Sequence, residues 1–316
     1  MSGSVEVSLA VSGLTYGAPL VLAGTGELLS ERGGVMNLGV DGMMLVGAAS
    51  GFWVSQVLPG PSWLALLGSV VAAGAVGALM AALFAVICIS WRANQIVAGL
   101  AMAIGGGILG LSSYLGSIGN LAGSAPAHVL NQIDLFGLAK LPAVGPLLFH
   151  ENILVYASWA VTLAATFYLY RTHWGLFLRA AGEDPAAADA MGVNVVRYRY
   201  THTILGGFLA GVGGATYTLA LIPSWTNGMT SGLGFIAIGL VILALWNPIL
   251  LFGGAFLFGV VINLGYVLET RGVTIPPEFF AALPYVVAIA TLVLLRGGAR
   301  RSGGPQALGR PYSRAG

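Results

Sequence analysis

Nine apolar runs constrain this chain more than any other feature. They fall at 8–28, 39–58, 63–89, 95–115, 152–170, 204–222, 233–247, 249–269 and 279–296, most of them near the ~20 residues that a helix needs to cross about 30 Å of hydrocarbon. A spanning segment must satisfy its own backbone hydrogen bonds, so runs of this length read as helices. Only 8% of the 316 residues are charged, against about 25% in soluble domains. The chain is therefore expected to be an all-α, polytopic integral membrane protein with about nine to ten transmembrane helices. One or two of these are expected to be broken or re-entrant, with 30–41 and 116–150 as the places where the count is open. No polar stretch is large enough for a separate globular unit, so residues 1–316 read as a single transmembrane domain with a polar loop at 171–203 and a tail at 297–316.

Thirteen basic residues against eleven acidic ones leave a net charge of +2. The basic residues sit in short clusters between the runs rather than in one patch, which argues against a nucleic-acid partner and for a topological role. Arg296, Arg300, Arg301, Arg310 and Arg314 place the tail in the cytoplasm. Alternation then puts Arg92 and the loop carrying Arg171, Arg179, Arg197 and Arg199 on the same side, with 116–150, 223–232, 270–278 and the N-terminus outside. The N-terminus lacks a basic n-region, so the first run is expected to be retained. Cys88 stands alone, which excludes a disulfide or thiolate metal site within the chain. His128, His150, His173 and His202 lie in loops or at span ends, and no metal site is expected. Neither G-x-S-x-G nor H-E-x-x-H occurs, and the lone lysine, Lys140, is followed by Leu-Pro, so no phosphate-cradling G-x-x-x-x-G-K-[ST] loop exists. The chain does not read as an enzyme.

The loop 171–203 is the only long polar segment with apolar runs on both sides. Asp184 suits a helix N-cap, Pro185 the first helical position, and the run Ala186, Ala187, Ala188 the helix itself, while Gly192 can supply a left-handed C-terminal cap. A capped two-turn helix on the cytoplasmic side is a handle for a partner; the plainer reading is a connecting loop with one helical turn. Glu183, Asp184, Pro185, Ala186, Ala187, Ala188, Asp189 and Gly192 are the candidate contact residues.

Two further polar stretches interrupt the runs. Residues 27–42 place Glu27, Asn37 and Asp41 between two spans, either as a turn with interfacial charges or as a broken helix lining a path. Residues 223–235 offer Trp225, Asn227 and Phe235, with Trp225 suited either to the interfacial aromatic belt or to stacking. Both stretches lead from a Gly-rich polar segment into an apolar run, the layout that internally duplicated transporters show near the solute site. Asn94 and Gln95 open the run at 95–115, as helix caps or as hydrogen-bonding groups for a solute. Gly105, Gly106 and Gly107 mark a flexible point in that run, and the pairs Gly106/Gly110 and Gly207/Gly211 have the spacing of close-packed helix faces. On the outer side, 128–136 has the pattern of a short amphipathic helix, and Glu269, Arg271 and Glu278 form a charged rim.

Four motifs carry a resemblance to one family. S-E-R-G-G-V-M-N-L-G-V-D-G-M-M from Ser30, W-R-A-N-Q-I-V-A-G-L-A from Trp91, the Ala186–Gly192 stretch, and the run from the Pro223–Trp225 turn through G-L-G-F-I-A to Trp246-Asn247-Pro248 occur in the same order as in ABC-importer permeases. The resemblance is to the branched-chain amino acid and sugar permease family, in its nucleoside, basic-membrane-protein branch, and covers about Leu20 to Arg296. It implies a permease subunit of a bacterial inner-membrane importer, with the 184–192 helix coupling it to an ATPase. Implied partners are an ABC ATPase subunit or tandem ATPase domains carrying the ATP and Mg, a second and non-identical permease, an extracytoplasmic substrate-binding lipoprotein and membrane lipid. One departure stands out: the family's coupling motif opens with Glu, and here that position is Ala186. Sugars or branched-chain amino acids are alternative cargo. A different class, an ion-coupled secondary transporter, has only Glu27 and Asp41 as candidate carboxylates, and a passive channel leaves the capped helix without a use.

Overall fold

A computed structural model describes residues 2–107, 109–135, 137–141, 144–230, 232–270, 286 and 304–313. The expected span at 279–296 apart from residue 286, the loop 270–278 beyond Thr270, Arg271, Glu278 and the basic residues Arg296, Arg300, Arg301 and Arg314 lie outside them. Helices dominate: α1 (Ser2–Arg32), α2 (Val40–Val57), α3 (Ser62–Ala85), α4 (Gln95–Gly106), α5 (Leu111–Ile118), α6 (Val144–Leu148), α7 (Ile153–Arg171), α8 (His173–Glu183), α9 (Pro185–Ala190), α10 (Val195–Thr216), α11 (Leu233–Leu243) and α12 (Pro248–Thr270). Single π-helical turns, Val86–Ser90 and Tyr217–Leu221, extend α3 and α10. Among the described residues, five segments are long and apolar enough to cross a bilayer: Val7–Arg32, Ser62–Ser90, Gln95–Ile118, Ile153–Arg171 and Val195–Leu221.

Helix α10 is the hub, packed on α1, α2 and α3. Its small residues make this approach feasible. A Cβ on Gly206 would lie 2.8 Å from the Gly26 carbonyl oxygen of α1, and one on Gly207 would lie 2.5 Å from that of Gly77 on α3. Gly211 likewise faces the Ala73 backbone. The Gly207/Gly211 pair thus forms the close-packing face that its spacing predicts.

Two apolar runs and one polar stretch depart from simple spans. The run 95–115 is split, because the backbone leaves helical geometry between Gly107 (ψ −149°) and Gly110 (ψ −136°). Helix α11 has only eleven residues, about 16 Å at 1.5 Å per residue, half of the hydrocarbon thickness. It follows the non-helical stretch 223–230 and ends in a reverse turn where Leu245 and Trp246 take positive φ. The stretch 33–39 turns back beside the end of α1, so that the Asn37 amide meets Glu27, five residues before Arg32. Within 30–41, residues 33–39 form a non-helical return between α1 and α2.

Contacts sort the ends of the bundle into two sets. At one end, Arg32 donates to the Trp246 carbonyl (2.9 Å), Ser90 meets Tyr200, and Ala307 bonds Gly182. At the other, Gln56 donates to Ser124, Leu130 to the Leu219 carbonyl, and Glu151 meets Thr15. The segments carrying Arg92, Arg171–Arg199 and Arg310 share the first end, the grouping that charge counting predicts, and Arg32 joins them there. One expectation fails: of the stretch 128–136, the described residues 128–135 form no helix. Gln132–Asp134 forms β1, paired antiparallel with β2 (His150–Asn152) in the register Ile133↔Glu151. A strand partner sixteen or more residues away outweighs a weak local helical period, and Asn152 then caps α7 through its side chain. Helix α8 was also not foreseen; Thr172 caps it by accepting from the Gly175 amide.

Candidate functional site

The two non-helical stretches enter from opposite ends and meet at Asp41. This residue sits in the first turn of α2, and its Oδ1 accepts from Thr230 Oγ1 (3.2 Å) and from the Gly234 amide at the start of α11 (3.0 Å). The carboxylate therefore lies between the N-terminal ends of two helices, whose unpaired amides and dipoles favour negative charge. Gly234 must be glycine here, since a Cβ would collide with the Asp41 backbone. Beside this contact opens a cavity of about 400 Å³ lined by Asp41, Leu45, Ile104, Leu109, Thr230 and Phe235, among others. Its size falls in the range of small-molecule sites, and its make-up is an apolar wall, one aromatic ring and a few polar atoms.

The predicted path residues divide into three groups. Asp41 and Phe235 line the cavity, Phe235 with 39% of its surface exposed. Glu27, Asn37 and Gln95 are buried supports for the 33–39 stretch. Glu27 Oε1 accepts from the Asn37 amide (2.7 Å), Asn37 Oδ1 accepts from the Gly39 amide (2.9 Å), and Gln95 Oε1 accepts from the Met36 amide (2.8 Å). Asn94, Trp225 and Asn227 lie away from the cavity lining. Asn94 caps α4, accepting from the Ile96 and Val97 amides. Trp225, 2% exposed, is enclosed with Phe52 and Leu121 and lies against Gly116, and Asn227 is exposed. Trp225 therefore offers no free face for stacking in this conformation. Thr230 was missed: nothing in T-S-G-L-G distinguishes it from an ordinary turn threonine until α2 is placed opposite.

The predicted cytoplasmic handle is present as α9. Asp184 Oδ1 accepts from the Ala186 and Ala187 amides (3.1 and 3.0 Å), Pro185 takes the first position, and Gly192 adopts φ +86°. Ala186, Ala187 and Met191 point outward, Met191 with 84% of its surface exposed, while Asp189 is half-buried. Ala188 faces inward against Ala181, Val193 and Val195. Glu183 accepts from the Gln306 amide rather than facing outward alone. Arg199, counted in the sequence only as a topological charge, is buried and donates to the Gly33 and Arg310 carbonyls.

Comparison with known proteins bears on this arrangement. Residues 9–292 match the family model for the branched-chain amino acid transport system permease component. The chain is 38% identical to a Haloferax volcanii protein named "Putative glucose ABC transporter permease protein", over 93% of this chain and 94% of that one. It is 34% identical to the guanosine ABC transporter permease protein of Bacillus subtilis (95% and 94% covered) and 33% identical to the nucleoside ABC transporter permease protein of Lactococcus lactis (90% of each). No solved structure gives a significant match. With its polytopic helical fold and a family match over most of its length, the chain belongs to the branched-chain amino acid transport system permease family and is a multi-pass ABC-transporter permease subunit.

Proposed function

We propose that this permease carries nucleosides into the cytoplasm, and that the Asp41–Thr230–Phe235 cavity is part of the path. The observation that carries the reading is the carboxylate of Asp41, which bridges the two interrupted segments beside an exposed aromatic ring. A nucleoside presents ribose hydroxyls that a carboxylate accepts and a flat base that an aromatic ring can stack. The relatives named for guanosine and nucleoside transport support this cargo. The relative named for glucose keeps a sugar as the second reading, since sugar hydroxyls suit Asp41 equally well.

In this reading the whole chain is one permease domain with no cofactor of its own. Helix α9 seats in an ABC ATPase that holds ATP and Mg, the basic end with the tail is cytoplasmic, and a second, non-identical permease and an extracytoplasmic binding lipoprotein complete the importer in a bacterial inner membrane. Selectivity rests mainly with the binding protein. Uptake of radiolabelled adenosine, ribose and leucine by the reconstituted complex tests the cargo. ATP-dependent adenosine uptake is expected; uptake of ribose or leucine without adenosine overturns the nucleoside reading and leaves the importer intact.

A further inference from the structure

Residues 304–313 do not hang free from the bundle. The Ala307 amide donates to the Gly182 carbonyl at the end of α8 (2.9 Å), and the Gly309 amide donates to the Gly34 carbonyl in the turn after α1 (3.2 Å). Arg199 clamps both partners, giving Nε to the Gly33 carbonyl (3.1 Å) and Nη1 to the Arg310 carbonyl (3.0 Å). Its planar fork reaches two acceptors that a lysine could not hold together. At one end of the segment the Tyr312 ring lies 6.0 Å from the Arg199 guanidinium carbon and packs against the cluster that contains Ala188, the inward face of α9. At the other end Gly304 rests on the Trp246 indole, where a Cβ would lie 2.7 Å from a ring carbon. Trp246 in turn donates from Nε1 to Glu31, and its carbonyl accepts from Arg32.

Ten residues thus touch three separate elements: α9, the 33–34 turn leading to Asn37 and Asp41, and the corner between α11 and α12. Helix α9 is six residues long and remote from the cavity. A displacement imposed on it reaches the two interrupted segments only through intervening elements, and residues 304–313 are bonded to both sides. Besides the packing of α9 on α8 and α10, the segment offers a second route, with bonds made largely by backbone amides and one buried guanidinium.

We propose that residues 304–313 form a coupling strap, which transmits movement of α9 to the 33–39 turn and to Trp246 during the transport cycle. This rests on the reading of α9 as the ATPase-facing helix. The test compares the intact chain, a truncation with a stop codon in place of Gly304, Tyr312→Ala, and Tyr312→Phe, each reconstituted with the ATPase and binding protein. ATPase recovery, hydrolysis and uptake are measured on the same vesicles. Truncation and Tyr312→Ala should retain the ATPase and basal hydrolysis, while solute moved per ATP falls about fivefold or more, the lower end of typical site-to-site coupling. Tyr312→Phe, which keeps the ring, should restore the ratio. If the truncated chain fails to insert, Tyr312→Ala decides. An unchanged ratio in Tyr312→Ala overturns the strap, as does a loss of uptake matched by loss of ATPase recovery, since that marks a purely structural prop. Failure of the intact chain to recover any ATPase overturns the reading of α9 itself, and the strap with it.

Discussion

Replacing Asp41 separates its structural from its transport role. In Asp41→Ala two buried donors, the Thr230 hydroxyl and the Gly234 amide, lose their acceptor. Each orphaned group costs about 1–3 kcal/mol, so the variant should be destabilised by about 2–6 kcal/mol and melt well below the parent in detergent. Asp41→Asn keeps a carbonyl oxygen for both donors and should melt close to the parent. What it loses is charge: a hydrogen bond to an ionised acceptor contributes about 1.5–3 kcal/mol against about 0.5–1.5 for a neutral one. A difference near 1 kcal/mol at the solute is about a fivefold change in binding. The assay pairs a melting curve with initial uptake rates for adenosine. Full stability with uptake reduced several-fold is expected for Asp41→Asn. Uptake equal to the parent would refute the claim that the carboxylate meets the solute, and a melting temperature as low as that of Asp41→Ala would refute the hydrogen-bond account.

Gly207→Val should lower the melting temperature sharply or prevent insertion, because its side chain meets the Gly77 backbone across the α10–α3 contact, and overpacking of this kind costs about 1–3 kcal/mol or more. Ala187→Arg, on the outward face of α9, should leave insertion and melting unchanged while abolishing solute-stimulated ATP hydrolysis; normal stimulation would remove α9 from the ATPase interface. Asp184→Ala should lower the stability of that helix by about 1 kcal/mol, measured as faster amide exchange at residues 186–190. Glu151 supplies a pH dependence. Burial pushes its carboxyl from the ordinary 4.5 up to about 7, outweighing the hydrogen bonds that its oxygens accept from Thr15 Oγ1. The raised value means that the folded state holds the proton more tightly, so the stabilisation is complete below about pH 4.5 and is lost as pH rises through 7. Glu151→Gln should flatten the fall in melting temperature between pH 5 and 8.

What could be read from the sequence was governed by the range of the interaction. Apolar length, caps and small-residue spacing are local properties, and α9 with Asp184, Pro185 and Gly192 follows from them. So does the close-packing face at Gly207 and Gly211, although its partner α3 does not. The meeting of Asp41 with Thr230 and Gly234 joins positions nearly two hundred residues apart, and only the shared layout of the two stretches pointed to it. Trp225 shows the limit: as an isolated tryptophan it suits an interface or a stacking site, and its enclosure follows from Gly116 on another helix. Arg199 misled in a similar way, because charge counting treats every arginine as a solvated marker. β1 escaped because three residues carry too little pattern to outweigh a helical period.

The central claim is that solute passes the cavity between the two interrupted segments. Ile104 lines that cavity with 60% of its surface exposed, and Cys88, the chain's only cysteine, is buried, so Ile104→Cys supplies a single reachable thiol. The measurement is the rate at which a small thiol-specific reagent labels Ile104→Cys in the reconstituted importer turning over ATP, with and without adenosine. Adenosine should slow the labelling and leucine should not; a labelling rate indifferent to adenosine while adenosine uptake proceeds would contradict the account.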